Sequence, residues 1–329
     1  MFTTIPENTL IVYLDQNKWI DLARARVGRV DGQKHQAVLE KITEVVSQGK
    51  AVFPLSWLHF VETRKKRDLK KRRELAEVMA EISQGIAIIP KSIIMNWELE
   101  HAIAMAFGET PTPIPSVFGN GMSMIFGRNF IEKEMNNRPH LKTDYLVDRA
   151  ISILSDKEAT LSFLMGDDED LNFKFVNGLR DINESFVARM EISREQDRED
   201  NDDLQERVFF AVLTKELQPK LIALLGNHGK TMNDFFSLGL DNVRKFFHDV
   251  PTLDVEIGLA LSLNKHWDRK LKANDTSDIA FACISIPYCD VVVTEVFLRT
   301  LAMRQKIDKK YNTKIISNLN ELLPILDNL

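Results

Sequence analysis

Leu10-Ile11-Val12-Tyr13-Leu14-Asp15-Gln16-Asn17-Lys18-Trp19-Ile20-Asp21-Leu22-Ala23 is the stretch on which the fold turns. Five apolar, largely β-favouring residues run into a carboxylate, and the apolar spacing after it becomes helical through Trp19, Leu22 and Ala23. That is a buried parallel strand leading into a helix, with Asp15 at the strand's carboxyl end. Ligands of open α/β sheets bind at that edge, which makes Asp15 a candidate site residue. Asp is also favoured as a helix N-cap, and this stretch alone leaves both readings open.

Working outward, a second helical pattern over Gln33 to Gln48 ends at Gly49, and the short apolar strand Ala51 to Leu55 follows. Ser56 is placed to cap a helix holding Trp57, Phe60, Val61 and Glu62. The pattern predicts that this helix continues through a basic run and on to Ile82, before a third strand, Ile86 to Ile89. Three β-α units in succession predict a parallel sheet.

From Ile93 to about Val250 the patterns are helical, with no strand: Ile93 to Phe107, Leu141 to Met165, Leu171 to Ile192, Leu204 to Leu225 and Phe235 to Phe247. A Pro/Gly-rich stretch, Pro111 to Gly127, separates the first two, and the acidic run Glu195 to Asp203 reads as an exposed loop. The α/β pattern then returns. A helix opens at Pro251 and Thr252 and reaches about Leu271, and Thr276 or Ser277 caps another that ends at Pro287. The strand Asp290 to Thr294, a helix from Phe297 to about Lys310, the strand Lys314 to Ser317 and a short helix at Asn320 to Leu326 complete the chain.

The expected architecture is therefore α/β, with a parallel sheet built from residues 1–92 and 251–329 and a helical insertion or second domain over 93–250. A chain of 329 residues is long enough for this, at the usual size of roughly 150 residues per domain. The formal net charge of −5 gives no global attraction to nucleic acid, so any such binding rests on a local basic patch. Cys283 and Cys289 lack zinc-site spacing and read as buried thiols. No apolar run approaches the roughly 18 residues of a membrane span, and the N-terminus does not read as a signal peptide. The expectation is a cytoplasmic protein.

On such a sheet, Asp15, Glu62, Asp278 and either Asp290 or Glu295 converge from distant parts of the chain. Crowded carboxylates repel one another unless a cation neutralises them, and an oxygen-only donor set suits Mg²⁺ or Mn²⁺. Two such ions about 4 Å apart clamp the attacking and leaving oxygens of a phosphodiester displacement. That is nuclease chemistry.

The chain resembles the PIN-domain superfamily of metal-dependent ribonucleases. The resemblance lies in Val12 to Asp15 with Leu22, in Ser-Trp-Leu-His-Phe-Val-Glu from Ser56 to Glu62, and in Asp278 to Phe297. Within the last, Pro-Tyr-Cys-Asp, a strand and Thr-Glu are similar to one bacterial PIN-like subgroup. The resemblance implies a PIN-like three-layer fold, a Mg²⁺ or Mn²⁺ cofactor and an RNA substrate, with DNA an alternative polymer and a non-catalytic binding module an alternative role. Carried over by position, Asp15, Glu62 and Asp278 are the first three acidic ligands; Asp290 is the first choice for the fourth and Glu295 the second. The helical region is open to capping the site, forming a homo-oligomer or receiving a regulatory protein, as in a toxin-like or defence effector.

Bland readings stand beside each of these. Asp278 suits the first turn of a helix, and Glu62 an exposed helix face beside Lys66 or Arg67. His59, one turn before Glu62, is a candidate substrate contact or a structural histidine. The run Arg64 to Arg73 holds eight Lys or Arg in ten residues, either a solvated helix face or a phosphate track. Arg64, Lys65 and Arg67, with Lys18 and Arg24 near Asp15, are its candidate substrate contacts. A haloacid-dehalogenase-type phosphatase needs a second Asp where Asn17 stands. The stretch Phe118 to Gly127 lacks a P-loop's Lys-Ser/Thr, and Glu98 to His101 has no second copy to make a di-iron pair.

Overall fold

The computed structural model of the chain describes residues 5–126, 131–132, 144–166, 202–265, 270 and 272–329. It is a mixed α/β molecule, mostly helical, around a four-stranded parallel sheet in the order β2 (Ala51–Val52), β1 (Leu10–Leu14), β5 (Val291–Val293), β6 (Lys314–Ile316). The two central strands pair Val12 with Val291 and Leu14 with Val293, and β6 continues that level through Ile316. Strands buried on both faces can be apolar throughout, which is why Leu10–Leu14 and Val291–Val293 show no alternation.

Beyond β2 the chain stays extended to Leu55. There the Leu55 amide donates to Ile86 and the Leu55 carbonyl accepts from Ile88, a parallel bridge to β3 (Ile86–Ile88). A short strand, β4 (Phe118–Asn120), lies antiparallel on β3, pairing Ile88 with Phe118, and runs into the short helix α6 (Gly121–Phe126). This corrects the expectation of no strand between Ile93 and Val250. Three residues inside a Pro/Gly-rich stretch carry no periodic signal of their own, and the pairing comes from β3.

The helices form two mutually packed groups. One joins α1 (Gln16–Arg26), α2 (Gln36–Ser47) and α4 (Leu69–Ser83). The other joins α5 (Lys91–Ala106), α12 (Pro251–Asn264), α13 (Ala273–Ser285) and α14 (Val296–Arg304). Between α2 and α4 lies α3 (Trp57–Arg64), and here the single long helix read from the sequence divides. Residues 65–68 leave the helical path and Asp68 restarts it, its carboxylate accepting from the Lys71 amide.

Other long patterns divide in the same way. Leu141 to Met165 becomes α7 (Asp144–Leu154) and α8 (Lys157–Met165), with Asp156 capping the second. After α9 (Asp202–Asn227), the pattern Phe235 to Phe247 becomes α10 (Met232–Ser237) and α11 (Leu240–His248) around Gly239, whose φ of +85° suits a residue without Cβ. The helix from Phe297 breaks at Lys306, φ +56°, into α14 and the one-turn α15 (Ile307–Lys310). The last turn, α16 (Leu323–Leu326), packs on α2. The pattern Leu171 to Ile192 and the acidic run as far as residue 201 lie outside the described residues, and the helix expected to reach about Leu271 ends earlier, at Asn264 with Lys265 as its C-cap. Cys283 and Cys289 are buried free thiols, as expected.

Candidate functional site

Parallel register brings the ends of β1, β5 and β6 to one edge. The Asp15 amide donates to the Val293 carbonyl and the Thr294 amide to the Ile316 carbonyl, so Asp15, Thr294 and Glu295 leave the sheet side by side. Asp15 occupies the N-cap position of α1, where its backbone carbonyl accepts from Lys18 and Trp19. Its carboxylate makes no cap bond to the first turn of the helix. The cap reading accounts for the backbone at this position, while the carboxylate meets the Gln16 amide, which lowers its pKa against the larger effect of burial.

Glu295 occupies the equivalent place at the start of α14, and its Oε1 accepts from Asn17 Nδ2 at 2.7 Å, tying the β1 and β5 loops together. Asp278 comes from the second turn of α13 and Glu62 from the second turn of α3. The four acids act on one another. Burial first, then the charges of Glu62 and Glu295, hold the Asp15 carboxyl up at about 7. Burial, then Asp15, Glu295, Asp275 and Glu62, raise Asp278 to about 8. Burial also raises Glu62, with Lys65 and Lys66 pulling the other way.

Asp290 is not part of this group. It precedes β5, at the opposite edge of the sheet, and its Oδ2 accepts from the Ile11 amide at 2.7 Å. The first choice for the fourth acid is thus replaced by the second, Glu295. A strand only three residues long with an acid at either end looks alike from both sides in sequence. Pairing with β1 tells the ends apart. Asp275, the acid beside Asp278, accepts from the Lys272 amide and shapes the start of α13.

His59 is likewise withdrawn as a substrate contact. It is 2% exposed, its Nδ1 accepts from the Ser56 amide at 2.9 Å, and its Nε2 therefore donates to the Leu14 carbonyl at 2.8 Å. Its ring stacks on Tyr13, and burial pushes its pKa down to about 4. It is a neutral pin between the start of α3 and the end of β1. Ser56 is the N-cap of α3, as expected, sharing a capping box with His59, and its hydroxyl also bonds to the Tyr13 hydroxyl.

The basic run separates into two kinds of residue. Arg64 is buried, donating from Nε to the Phe163 carbonyl at 2.7 Å and lying 3.7 Å above the Phe163 ring. Arg72 is also buried, and its guanidinium donates to the carbonyls of Lys66, Met165 and Gly166. Both hold α8 against α3 and α4, which removes Arg64 from the substrate contacts. Lys65 and Arg67 are exposed on the turn after Glu62, with Lys66 partly buried between them. Lys18 stands beside Asp15 and donates to the Ser317 carbonyl at the end of β6, and Arg24 is engaged by Asp21 and Asp31.

Sequence reasoning missed Gln16, whose buried carboxamide donates to Thr63 Oγ1 next to Glu62. Nothing in the sequence distinguishes it from an ordinary first-turn residue. The donor set at the edge is four carboxylates, which fits a hard divalent cation such as Mg²⁺ or Mn²⁺. Among the described residues, no three acidic, His or Cys side chains are drawn up around one point. Compared with protein-family models, with curated proteins and with solved structures, the chain matches none.

Proposed function

We propose that the chain is a metal-dependent phosphodiester hydrolase of PIN-like fold, acting on RNA, with Asp15, Glu62, Asp278 and Glu295 as its acidic site. The observation that carries this reading is the arrival of four carboxylates at the carboxyl edge of a parallel sheet, where burial, helped by Glu62 and Glu295, raises Asp15 to about 7 and Asp278 to about 8. A stability argument alone gives no reason to bring such charges beside the buried Asp15. Cation binding does.

Bound there, Mg²⁺ or Mn²⁺ would supply a water of lowered pKa and offset charge at the leaving oxygen. The carboxylates of Asp15 and Asp278 would hold the cation, with Glu295, which accepts from Asn17, and Glu62 as further oxygen donors. Lys65 and Arg67, exposed on the turn after Glu62, supply local positive charge for the phosphates on a chain of net charge −5. RNA is the polymer favoured by the PIN resemblance, and DNA is the alternative.

The test is Mn²⁺-dependent cleavage of a single-stranded RNA and of its DNA counterpart. Asp15→Asn and Asp278→Asn are each expected to lose at least about 100-fold in rate, the scale on which removing a charge-stabilising group acts. Cleavage equal to wild type in both variants would sink the site assignment.

A further inference from the structure

Leu14, Val293 and Ile316 stand in register on β1, β5 and β6, so Asp15, Thr294 and Ser317 are the first residues beyond the sheet on three adjacent strands. Two cations meet at the last of these. Lys18, in the first turn of α1, reaches from the β1 side across to β6, where its Nζ donates to the Ser317 carbonyl at 2.8 Å. Arg299, one turn into α14, donates from Nη1 to Ser317 Oγ at 3.4 Å. Hydrogen bonds to one residue thus fix both charged heads beside the end of β6.

Lys18 is among the charges that act on Asp15, yet neither cation is ion-paired with a carboxylate among the described residues. Glu321 also reaches this turn, and its Oε1 is taken by the Ser317 and Asn318 amides. Cations kept only to balance the acids would be drawn onto them; these are held at the neighbouring strand, on neutral oxygens. Both are only partly buried. Lys18 uses one donor of three on Ser317 and Arg299 one of five, which leaves both heads able to take an anion.

At the other end of the sheet, Lys65 and Arg67 are exposed on the turn after Glu62, at the close of the helix that follows β2. Strands lie about 4.8 Å apart, so β2 and β6 are separated by roughly 14 Å. Asp15 and Glu295, at the ends of the two central strands, lie between the two pairs of cations.

Resting on the nuclease reading above, we propose that Lys18 and Arg299 form a phosphate subsite at the end of β6, and that a single RNA strand crosses the carboxyl edge in the order of the sheet. Its backbone is held by this pair on one flank and by Lys65 and Arg67 on the other. Contacts of this kind set where a strand lies without reading its sequence.

The experiment measures binding of a fluorescein-labelled single-stranded RNA to the full chain in EDTA across a salt series, with melting temperatures recorded beside it. Lys18→Gln and Arg299→Gln are each expected to reduce the slope of log affinity against log salt by about 0.7. Arg299→Lys keeps the charge and is expected to keep the wild-type slope; Lys18→Gln carries the test if Arg299→Gln does not fold. Because one strand touches both flanks, Lys18→Gln combined with Lys65→Ala is expected to reduce the slope by about 1.4. A pair no lower than its single variants would mean that the flanks take separate strands, which overturns the crossing. Cations that only offset the acids would shift the melting temperature and leave the slope at the wild-type value, which overturns the subsite. Mn²⁺-dependent cleavage separates the two levels. If Asp15→Asn and Asp278→Asn cleave as wild type does, the nuclease reading falls and takes the subsite with it. If they lose cleavage while Lys18→Gln and Arg299→Gln keep the wild-type slope, only the subsite falls.

Discussion

Asp15 and His59 are buried neighbours at the end of β1 whose titrations pull stability in opposite directions. Between its ordinary value of 3.8 and about 7, the folded Asp15 carboxyl keeps a proton that the unfolded chain releases, so stability is lost as pH rises through that window. Asp278, raised to about 8, extends the window upward. In urea titrations without metal, Asp15→Asn is expected to gain on wild type between pH 5 and pH 8 by about 1–3 kcal/mol, one pKa unit being worth roughly 1.4. A difference constant across that range would remove the raised Asp15 pKa, set by burial first and by Glu62 and Glu295 next, on which the site reading draws. His59 runs the other way. Its pKa is lowered from 6.5 to about 4, so the stability it contributes is complete above pH 6.5 and lost as pH falls through 4. His59→Leu is expected to cost about 2–4 kcal/mol at pH 7 by stranding the Ser56 amide and the Leu14 carbonyl, measured by the same urea titrations. Sequence shows Asp15 clearly, because an apolar run ending in a carboxylate is visible without partners. It shows His59 poorly, since a histidine two-bonded to backbone and one facing substrate have the same spacing from Glu62.

The elements were legible where burial imposes a continuous apolar run and obscure where punctuation is supplied from outside the segment. β1 and β5 could be read directly, whereas the break between α3 and α4 hides inside a basic run that scans as one helix. What ends α3 there is a combination that no local pattern contains: the Asp68 cap, and Arg72 reaching back to the Lys66 carbonyl while it holds Met165 and Gly166. The clamp has a tight side. Gly166 has φ +52°, and a Cβ on it would come within 2.7 Å of Arg64 Nε, so Gly166→Ala is expected to lower stability by about 1–2 kcal/mol. An unchanged thermal midpoint in this variant would show that α8 docks without the clamp. The exposed half of the run behaves differently. Lys65→Ala and Arg67→Ala are expected to leave the thermal midpoint in place and weaken RNA binding, each reducing the slope of log affinity against log salt by about 0.7. Filter binding across a salt series checks this, and an unaltered slope would return both residues to the role of solvated surface.

Across the whole molecule, two apolar cores are joined by shared helices. One core surrounds the sheet and includes Ile94 of α5 and Val255, Leu259 and Leu263 of α12; the other lies among the later helices and takes Leu99 and Ile103 of α5 and Leu253 and Ile257 of α12. At the seam Glu98, 1% exposed, accepts from the Thr252 amide and hydroxyl and from Tyr288, the residue that links α13 to β5. A second knot gathers His248, Lys310 and Tyr311 around the buried Asp254. A carboxylate buried at that depth is tolerable only with its acceptors filled, so the bonds at the seam are conditions of both cores together. The elements that carry Asp278 and Glu295 leave from this seam, which makes the helical region part of what holds the acidic edge in place. Unfolding is therefore expected as one cooperative transition, with tryptophan fluorescence and far-ultraviolet circular dichroism giving the same midpoint. Tyr288→Phe leaves a buried acceptor of Glu98 unfilled and should lower that common midpoint by the equivalent of about 1–3 kcal/mol without splitting it. Two separate midpoints in wild type would mean that the helical core folds on its own, and that the seam bonds only dock two finished units.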